Sequence, residues 1–168
     1  MSWFPFGARS YALFAVLASA AMLAAAHAFE RIGGYQPCLL CLRQREVYWM
    51  ALAIAALGVL ALLRRPHPSL VRALPLLLAM IFSLGFLVAG YHAGVEWEWW
   101  PGPEQCAIGS SSAAAVQAFA SGAPVREVSC DEAPWVFAGL SMAGWNALVS
   151  LGLAAFGVLV ALRRRPTL

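Results

Sequence analysis

The chain has 168 residues, of which 62% are hydrophobic and 11% charged. A soluble domain carries about 25% charged and 45–50% apolar residues, so a water-soluble surface is excluded and an integral membrane protein is expected. The formal charge of +3 comes from arginine alone, with no lysine. There is no basic stripe on a soluble domain to carry nucleic-acid binding, so no nucleic-acid partner is expected.

Charges mark where hydrocarbon is not, because an Arg or Asp at mid-bilayer costs roughly 2.5–3.5 kcal/mol. They leave four uncharged windows: Ser10–Phe29, Val47–Leu63, Ala73–Val95 and Ala133–Leu162. A helical span needs about 20 residues. The fourth window is too long, and Pro134 near its start moves the span to about Ser141. The second is short and draws residues from Cys41–Glu46 or thins the bilayer. The expectation is an all-α integral membrane protein, one membrane domain over 1–168. It is a four-transmembrane-helix bundle with spans at about 11–29, 46–63, 73–93 and 141–162. Ala26-His27-Ala28 resembles a signal-peptidase site, but the preceding apolar run exceeds the roughly 7–15 residues of a signal peptide. The first span is therefore read as retained.

Four spans put both termini on one side. That side holds Arg9, Arg64, Arg65, Arg72 and Arg163 to Arg165, with no acid. The other holds Arg31, Arg43, Arg45 and Arg126 and all eight acids. The positive-inside rule places both termini in the cytoplasm. Trp97, Trp99, Trp100 and Trp135, with Tyr35, Tyr48 and Trp49, form the outer aromatic belt, and Trp3, Phe4 and Phe6 the inner one. Ala20, Ala24 and Ala28, and Gly90 with Gly94, recur at the spacing that lets membrane helices approach closely. His27 reads as a packing or interfacial residue.

The inner connection Arg64–Arg72 and the outer loop Glu30–Pro37 are short. The second outer loop, about 94–136, is long. It is punctuated at Pro101-Gly102-Pro103, at Gly109-Ser110-Ser111-Ser112 and at Gly122 with Pro124. Between these, Ala113–Ala120 is expected to form a short helix with Val116 and Phe119 against the membrane. The loop is too small to build its own core.

All four cysteines, Cys38, Cys41, Cys106 and Cys130, fall at the outer side, where disulfides persist. Three pairings are possible. Cys38 and Cys41 have C-x-x-C spacing, and Cys106 with Cys130 is the natural remainder, as redox pair or as loop staple. A C-x-x-C bridge constrains little of the unfolded chain, so it is more useful for exchange. No metal is expected: the second pair is spread too widely for a zinc pattern, and His27 and His92 fall inside spans. Cys38 and Cys41 lie at the N-terminus of the second helix, after Pro37, where the helix dipole favours a thiolate. Arg45 follows Cys41 by four residues and shares its face. It either supports the thiolate and bonds a carbonyl oxygen or snorkels to the interface. Arg43 projects elsewhere and snorkels.

A structural disulfide lies below about −300 mV and a strongly oxidising carrier near −120 mV, a gap worth roughly 8 kcal/mol for two electrons. A loop pair that oxidises such a carrier must therefore be strained or drawn by a downstream acceptor. An acceptor for a pair at the bilayer interface should be lipid-soluble, which fits a quinone.

Four spans, Cys38-Leu39-Leu40-Cys41-Leu42-Arg43-Gln44-Arg45 at the outer start of the second, and a cysteine pair in the second outer loop together resemble the DsbB family of bacterial disulfide bond formation proteins. Tyr91-His92, and Gly139-Leu140 with Met142 and Trp145, also look like the family. The resemblance covers nearly the whole chain. It implies a protein-dithiol:quinone oxidoreductase of the bacterial inner membrane, with its cysteines on the periplasmic side. The implied partners are a DsbA-like thioredoxin-fold carrier and the quinone pool, ubiquinone or menaquinone. It further implies that the carrier attacks Cys106, with Pro101 to Gln105 in its groove. Cys130 then exchanges with Cys38, Cys41 faces the quinone, and Arg45 and His92 border it. Other readings are a quinone reductase of the vitamin K epoxide reductase type, whose loop cysteines come in the reverse order, a disulfide-stapled scaffold, and a haem carrier using His27 and His92.

Overall fold

The computed structural model describes residues 7–103, 106, 120 and 129–162. Helix α1 spans Ala8–Arg31, α2 Leu39–Arg64, α3 Pro68–Glu96 and α4 Met142–Ala161. A two-stranded antiparallel hairpin, β1 (Val136–Phe137) and β2 (Leu140–Ser141), precedes α4. All four helices are long and apolar enough to cross a membrane. The predicted inner belt (Trp3, Phe4, Phe6), the short helix at 113–120 apart from Ala120, residues 104–105, Arg126, Glu127 and the Arg163–Arg165 tail lie outside the described residues.

Helices α1, α2 and α3 each run past their uncharged windows into the flanking charged residues, whereas α4 stays inside its own. Helix α3 starts earlier than the proline-bearing connection suggested. Pro68 occupies its first turn, where a missing N–H costs nothing, and the His67 ring accepts from the Ser69 N–H. Helix α2 starts at Leu39, with Cys38 as its N-cap.

The core runs along the bundle axis through Tyr11, Ala15, Tyr48, Ala55, Leu78, Phe82 and Leu153. Helix α3 packs most extensively on α4, and α1 on α2. The small-residue faces differ from the expected ones. Ala20, Ala24 and Ala28 point outward, and the packed face of α1 carries Ala8, Ala12, Ala15 and Ser19 instead. Gly90 meets nothing, and Gly94 receives the Trp100 ring of the following loop rather than a helix. The close approaches are at Gly58 against Leu74, Gly85 against Ser150 and Val47, and Gly157 against Tyr11. Tyr11 also crosses the core to donate to the Leu153 carbonyl at 2.9 Å.

The Arg9 guanidinium reaches the Leu62 carbonyl at 3.4 Å, so the start of α1 and the end of α2 share one end of the bundle. The cysteines occupy the opposite end. There the hairpin turns at Ala138 (φ 50°) and Gly139 (φ 79°), two consecutive left-handed residues of the kind a tight hairpin turn demands. The Trp145 indole donates to the Phe137 carbonyl at 2.9 Å and ties the hairpin to α4.

Candidate functional site

The site begins with the way α2 starts. Cys38 has extended backbone, and its Sγ accepts the Cys41 N–H at 3.2 Å, satisfying one of the orphan donors of the first turn. This turn brings the two sulfurs to 2.9 Å as a reduced pair, with Cys38 donating to Cys41. That hydrogen bond, with burial behind it, pushes the Cys38 thiol up from its ordinary pKa. Cys38 is buried and Cys41 partly open.

Cys106 and Cys130 form a disulfide with Cα atoms 5.5 Å apart. Both pack with Cys38, Leu40 and Val95 in a single buried cluster, with Cys41 against it. The structure therefore brings together all four cysteines named from the sequence. The loop start is fixed to α3 by Tyr91, which stacks on Trp100, donates to the Pro101 carbonyl at 3.0 Å and accepts the Trp100 indole N–H at 2.9 Å through its own carbonyl.

His92 lies in α3 beside Cys38, its Nε2 3.5 Å from the sulfur. The ring is also within reach of the Cys130 backbone, so one side chain borders both cysteine pairs. Its Nδ1 faces the Gln44 amide at 2.8 Å. Gln44 Oε1 accepts from Asn146 at 2.5 Å, and Asn146 Oδ1 accepts from Tyr48 at 2.6 Å and from Ser150 at 3.3 Å. With the amides in this sense Gln44 donates to Nδ1, so a neutral imidazole carries its proton on Nε2, toward the sulfur. Buried polar groups in a helix bundle must be satisfied by one another, and this chain ties α3, α2 and α4 into one network.

Arg45 lies beside Cys41 on the wall of a cavity of about 370 Å³. Its guanidinium is not free. It pairs with Glu30 and donates to the Ala26 carbonyl at 3.2 Å, both on α1. Arg43 projects away and pairs with Glu46 at 2.9 Å, both exposed. His27 is half-exposed, 3.7 Å from Glu30.

The cavity lies between α1, α2, α4, the outer end of α3 and the hairpin. Phe29, Trp135, Phe137, Trp145 and Met142 supply an apolar and aromatic wall, and Cys41, Gln44, Arg45, His92 and Asn146 a polar one. Phe29, Trp135 and Phe137 form a continuous ring ladder, with centroids 5.3 and 5.9 Å apart. A mostly apolar cleft with a few converging polar groups is the usual form of a small-molecule site. A larger groove of about 630 Å³, between α2 and α3 at Met50 and Leu87, has no thiol on its wall.

Sequence reasoning missed Gln44, Asn146, Glu30 and Glu96. Glu96 sits 3.8 Å from the His92 Nε2 and accepts from the Ser141 hydroxyl. The one available signal was polar residues in otherwise apolar helices, which are rare and costly there.

These features define a four-helix membrane protein with two cysteine pairs meeting beside an aromatic cavity. The family "Disulfide bond formation protein DsbB" matches residues 8–160, and the chain belongs to that family. It is 34% identical over 160 residues to "Disulfide bond formation protein B" of Methylococcus capsulatus, covering 90% of this chain and 93% of that one. It is 34% identical over 171 residues to "Disulfide bond formation protein B 2" of Pseudomonas entomophila, covering 94% of each. The relative from Nitrosomonas eutropha is 29% identical over 158 residues, covering 87% and 88%. No solved structure shows a significant match.

Proposed function

We propose that the protein is a protein-dithiol:quinone oxidoreductase that reoxidises a DsbA-like thioredoxin-fold carrier and so supplies disulfides to secreted proteins. The observation that carries this reading is the burial of both cysteine pairs in one cluster beside an apolar cavity that Cys41, Arg45 and His92 border. The arginine bias, seven on the side of the termini against four on the cysteine side, supports cytoplasmic termini and periplasmic cysteines in the bacterial inner membrane.

The cavity suits a quinone headgroup: flat, apolar on its faces and polar at its carbonyls. The aromatic ladder would stack on the faces, and Arg45 and His92 would meet the oxygens. Bound there, ubiquinone or menaquinone supplies a two-electron, two-proton acceptor. The thiol steps belong to this chain. A carrier thiolate attacks Cys106 Sγ, forming a mixed disulfide and breaking the Cys106–Cys130 bond, and Cys130 leaves as thiolate. The second carrier thiol resolves the mixed disulfide and leaves the carrier oxidised. The loop dithiol passes its two electrons to a Cys38–Cys41 disulfide through exchange at Cys38, with Cys41 as the leaving thiolate. Cys41 then delivers both electrons into the cavity, and the Cys38–Cys41 disulfide reforms. The net reaction is carrier dithiol plus quinone to carrier disulfide plus quinol. His92, with its Nε2 proton toward Cys38, stabilises negative charge on that sulfur during exchange.

The test is anaerobic oxidation of a reduced thioredoxin-like carrier by the purified protein with and without ubiquinone, following quinone absorbance. Protein-dependent, stoichiometric quinone loss that stops in Cys41→Ser is the expected result. No quinone turnover by protein with intact disulfides would overturn the reading and leave a disulfide-stapled scaffold.

A further inference from the structure

The first turn of α2 and the outer end of α3 place more than a redox pair side by side. Cys38 Sγ, Cys41 Sγ and one nitrogen of His92 all lie within 4.8 Å of one another. The separations are 2.9 Å between the sulfurs and 3.5 Å from Cys38 to Nε2. Glu96 stands just outside this trio, its Oε1 3.8 Å from Nε2 and the other oxygen of that carboxylate held by the Ser141 hydroxyl.

We propose that the reduced Cys38–Cys41 pair, together with His92, is a three-ligand binding site for Zn²⁺ or another thiophilic divalent cation, its fourth position left to water or to a rotated Glu96. Zinc takes four ligands tetrahedrally, with Zn–S about 2.3 Å and Zn–N about 2.0–2.1 Å. That geometry spaces two sulfurs by about 3.8 Å and a sulfur and a nitrogen by about 3.6 Å. The sulfur–nitrogen separation already fits, and the sulfurs need to part by under about 1 Å, within reach of a side-chain rotation. A separate cavity of about 230 Å³ borders the three ligands and Glu96 and gives an approach that does not pass through the aromatic one.

Two conditions follow from the chemistry. First, the metal displaces one proton from each thiol and no electron moves, so only the dithiol binds and the disulfide does not. Secondly, ligation through Nε2 needs the ring proton on Nδ1, and so an acceptor there. Gln44 provides one if its amide turns over. Its NH₂ then donates to a reversed Asn146, which in turn donates to the Tyr48 and Ser150 hydroxyls. The turn gives up the 3.2 Å bond from Gln44 to the Leu40 carbonyl. For function the inference rests on the proposed reading: a metal-held pair can neither exchange with the loop disulfide nor deliver electrons, so the cation arrests the enzyme in its reduced state.

The experiment uses the full chain in lipid nanodiscs, reduced and freed of reductant under argon. Co²⁺ is added and its thiolate charge-transfer band followed, with Zn²⁺ affinity read by competition against a chromophoric chelator. The expected result is one metal per reduced chain and none on the oxidised chain. Cys38→Ser loses the band, His92→Ala weakens binding by about tenfold or more, and Gln44→Glu, a permanent acceptor for the Nδ1 proton, tightens it. The double variant Cys106→Ser/Cys130→Ser keeps the site. Absence of binding to the reduced chain, survival of the band in Cys38→Ser, or its loss in the loop double variant each overturns the site. No quinone or carrier is present, so metal binding without quinone turnover refutes only the enzyme reading. Turnover without metal binding refutes only this one.

Discussion

Gln44→Leu is the sharpest probe of how the bundle holds His92. The two side chains are similar in volume, and Gln44 is buried, so the change removes hydrogen bonds and little packing. Two interhelical bonds disappear, one to His92 Nδ1 at 2.8 Å and one from Asn146 at 2.5 Å. The bond to the Leu40 carbonyl lies within α2 and holds no helices together. Interhelical hydrogen bonds in membranes average about 0.6 kcal/mol and reach about 1.7. Two of them give a loss of about 1–3 kcal/mol. Denaturant titration of the folded protein in mixed micelles, read by tryptophan fluorescence, measures it. The companion variant Gln44→Glu keeps the acceptor for Asn146 but offers His92 only lone pairs. The ring proton should then move to Nδ1, which ¹⁵N NMR of labelled histidine reports directly. A Gln44→Leu protein within about 0.3 kcal/mol of wild type, together with an unchanged tautomer in Gln44→Glu, would refute the network.

The remaining predictions concern charge at the site. Arg45→Ala removes a charged donor from the cavity wall, a contribution of about 1.5–3 kcal/mol, so the KM for quinone should rise roughly 10- to 100-fold while that for the carrier changes little. Glu30→Gln leaves the guanidinium in place but weakens its anchor, and the same KM should rise only a few-fold. Equal effects on both substrates in steady-state kinetics would make Arg45 merely structural. Cys38 has its pKa raised by the hydrogen bond to Cys41 and by burial. A group raised on folding contributes stability below its unfolded pKa and loses it as pH climbs through the folded value, so this contribution starts to fall above about pH 8.5. In the reduced protein, alkylation of Cys38 followed by mass spectrometry should still be accelerating at about pH 10, where a free thiol has levelled off. Levelling near pH 8.5 contradicts it.

The helices were legible because an arginine or carboxylate stops a span, and the sequence states where each one lies. The cysteines were legible because C-x-x-C is a local pattern that a helix start turns into a sulfur pair. Helical phase was harder. Ala8, Ala12, Ala15 and Ser19 step by four, three and four residues and Ala20, Ala24 and Ala28 by four and four, both of which put small side chains along one side of a helix, and composition does not tell which stripe faces the bundle. The polar network was illegible for a related reason. Gln44 and Asn146 are 102 residues apart, and only the register of α2 against α4 brings their amides together. The hairpin carried a faint signal, a glycine after alanine between apolar residues, but two residues per strand give no periodicity to read. The place of His92 was also hard to read. His92 was read as lying inside a span, yet α3 runs on to Glu96 and leaves the ring level with the start of α2.

His92 shows why proximity alone does not explain the site. Its ring touches Cys38, reaches the Cys130 backbone and lines both the aromatic cavity and the smaller one. A neutral imidazole with the proton on Nε2 is a donor, and it stabilises a thiolate on Cys38. The same ring with the proton on Nδ1 is an acceptor at Nε2, and it serves a cation instead. Between the two states stands the sense of one buried amide, Gln44, whose two faces differ only in whether oxygen or nitrogen meets the ring. The amide is held in its present sense by the Leu40 carbonyl and by Asn146. On the two readings proposed above, exchange and metal binding at this dithiol call for opposite proton positions on the His92 ring, a conflict beyond occupancy of the sulfurs. A substitution that fixes the ring proton on Nδ1 should strengthen one property while weakening the other, and Gln44→Glu is the variant in which tighter cobalt binding and slower thiol exchange should appear together.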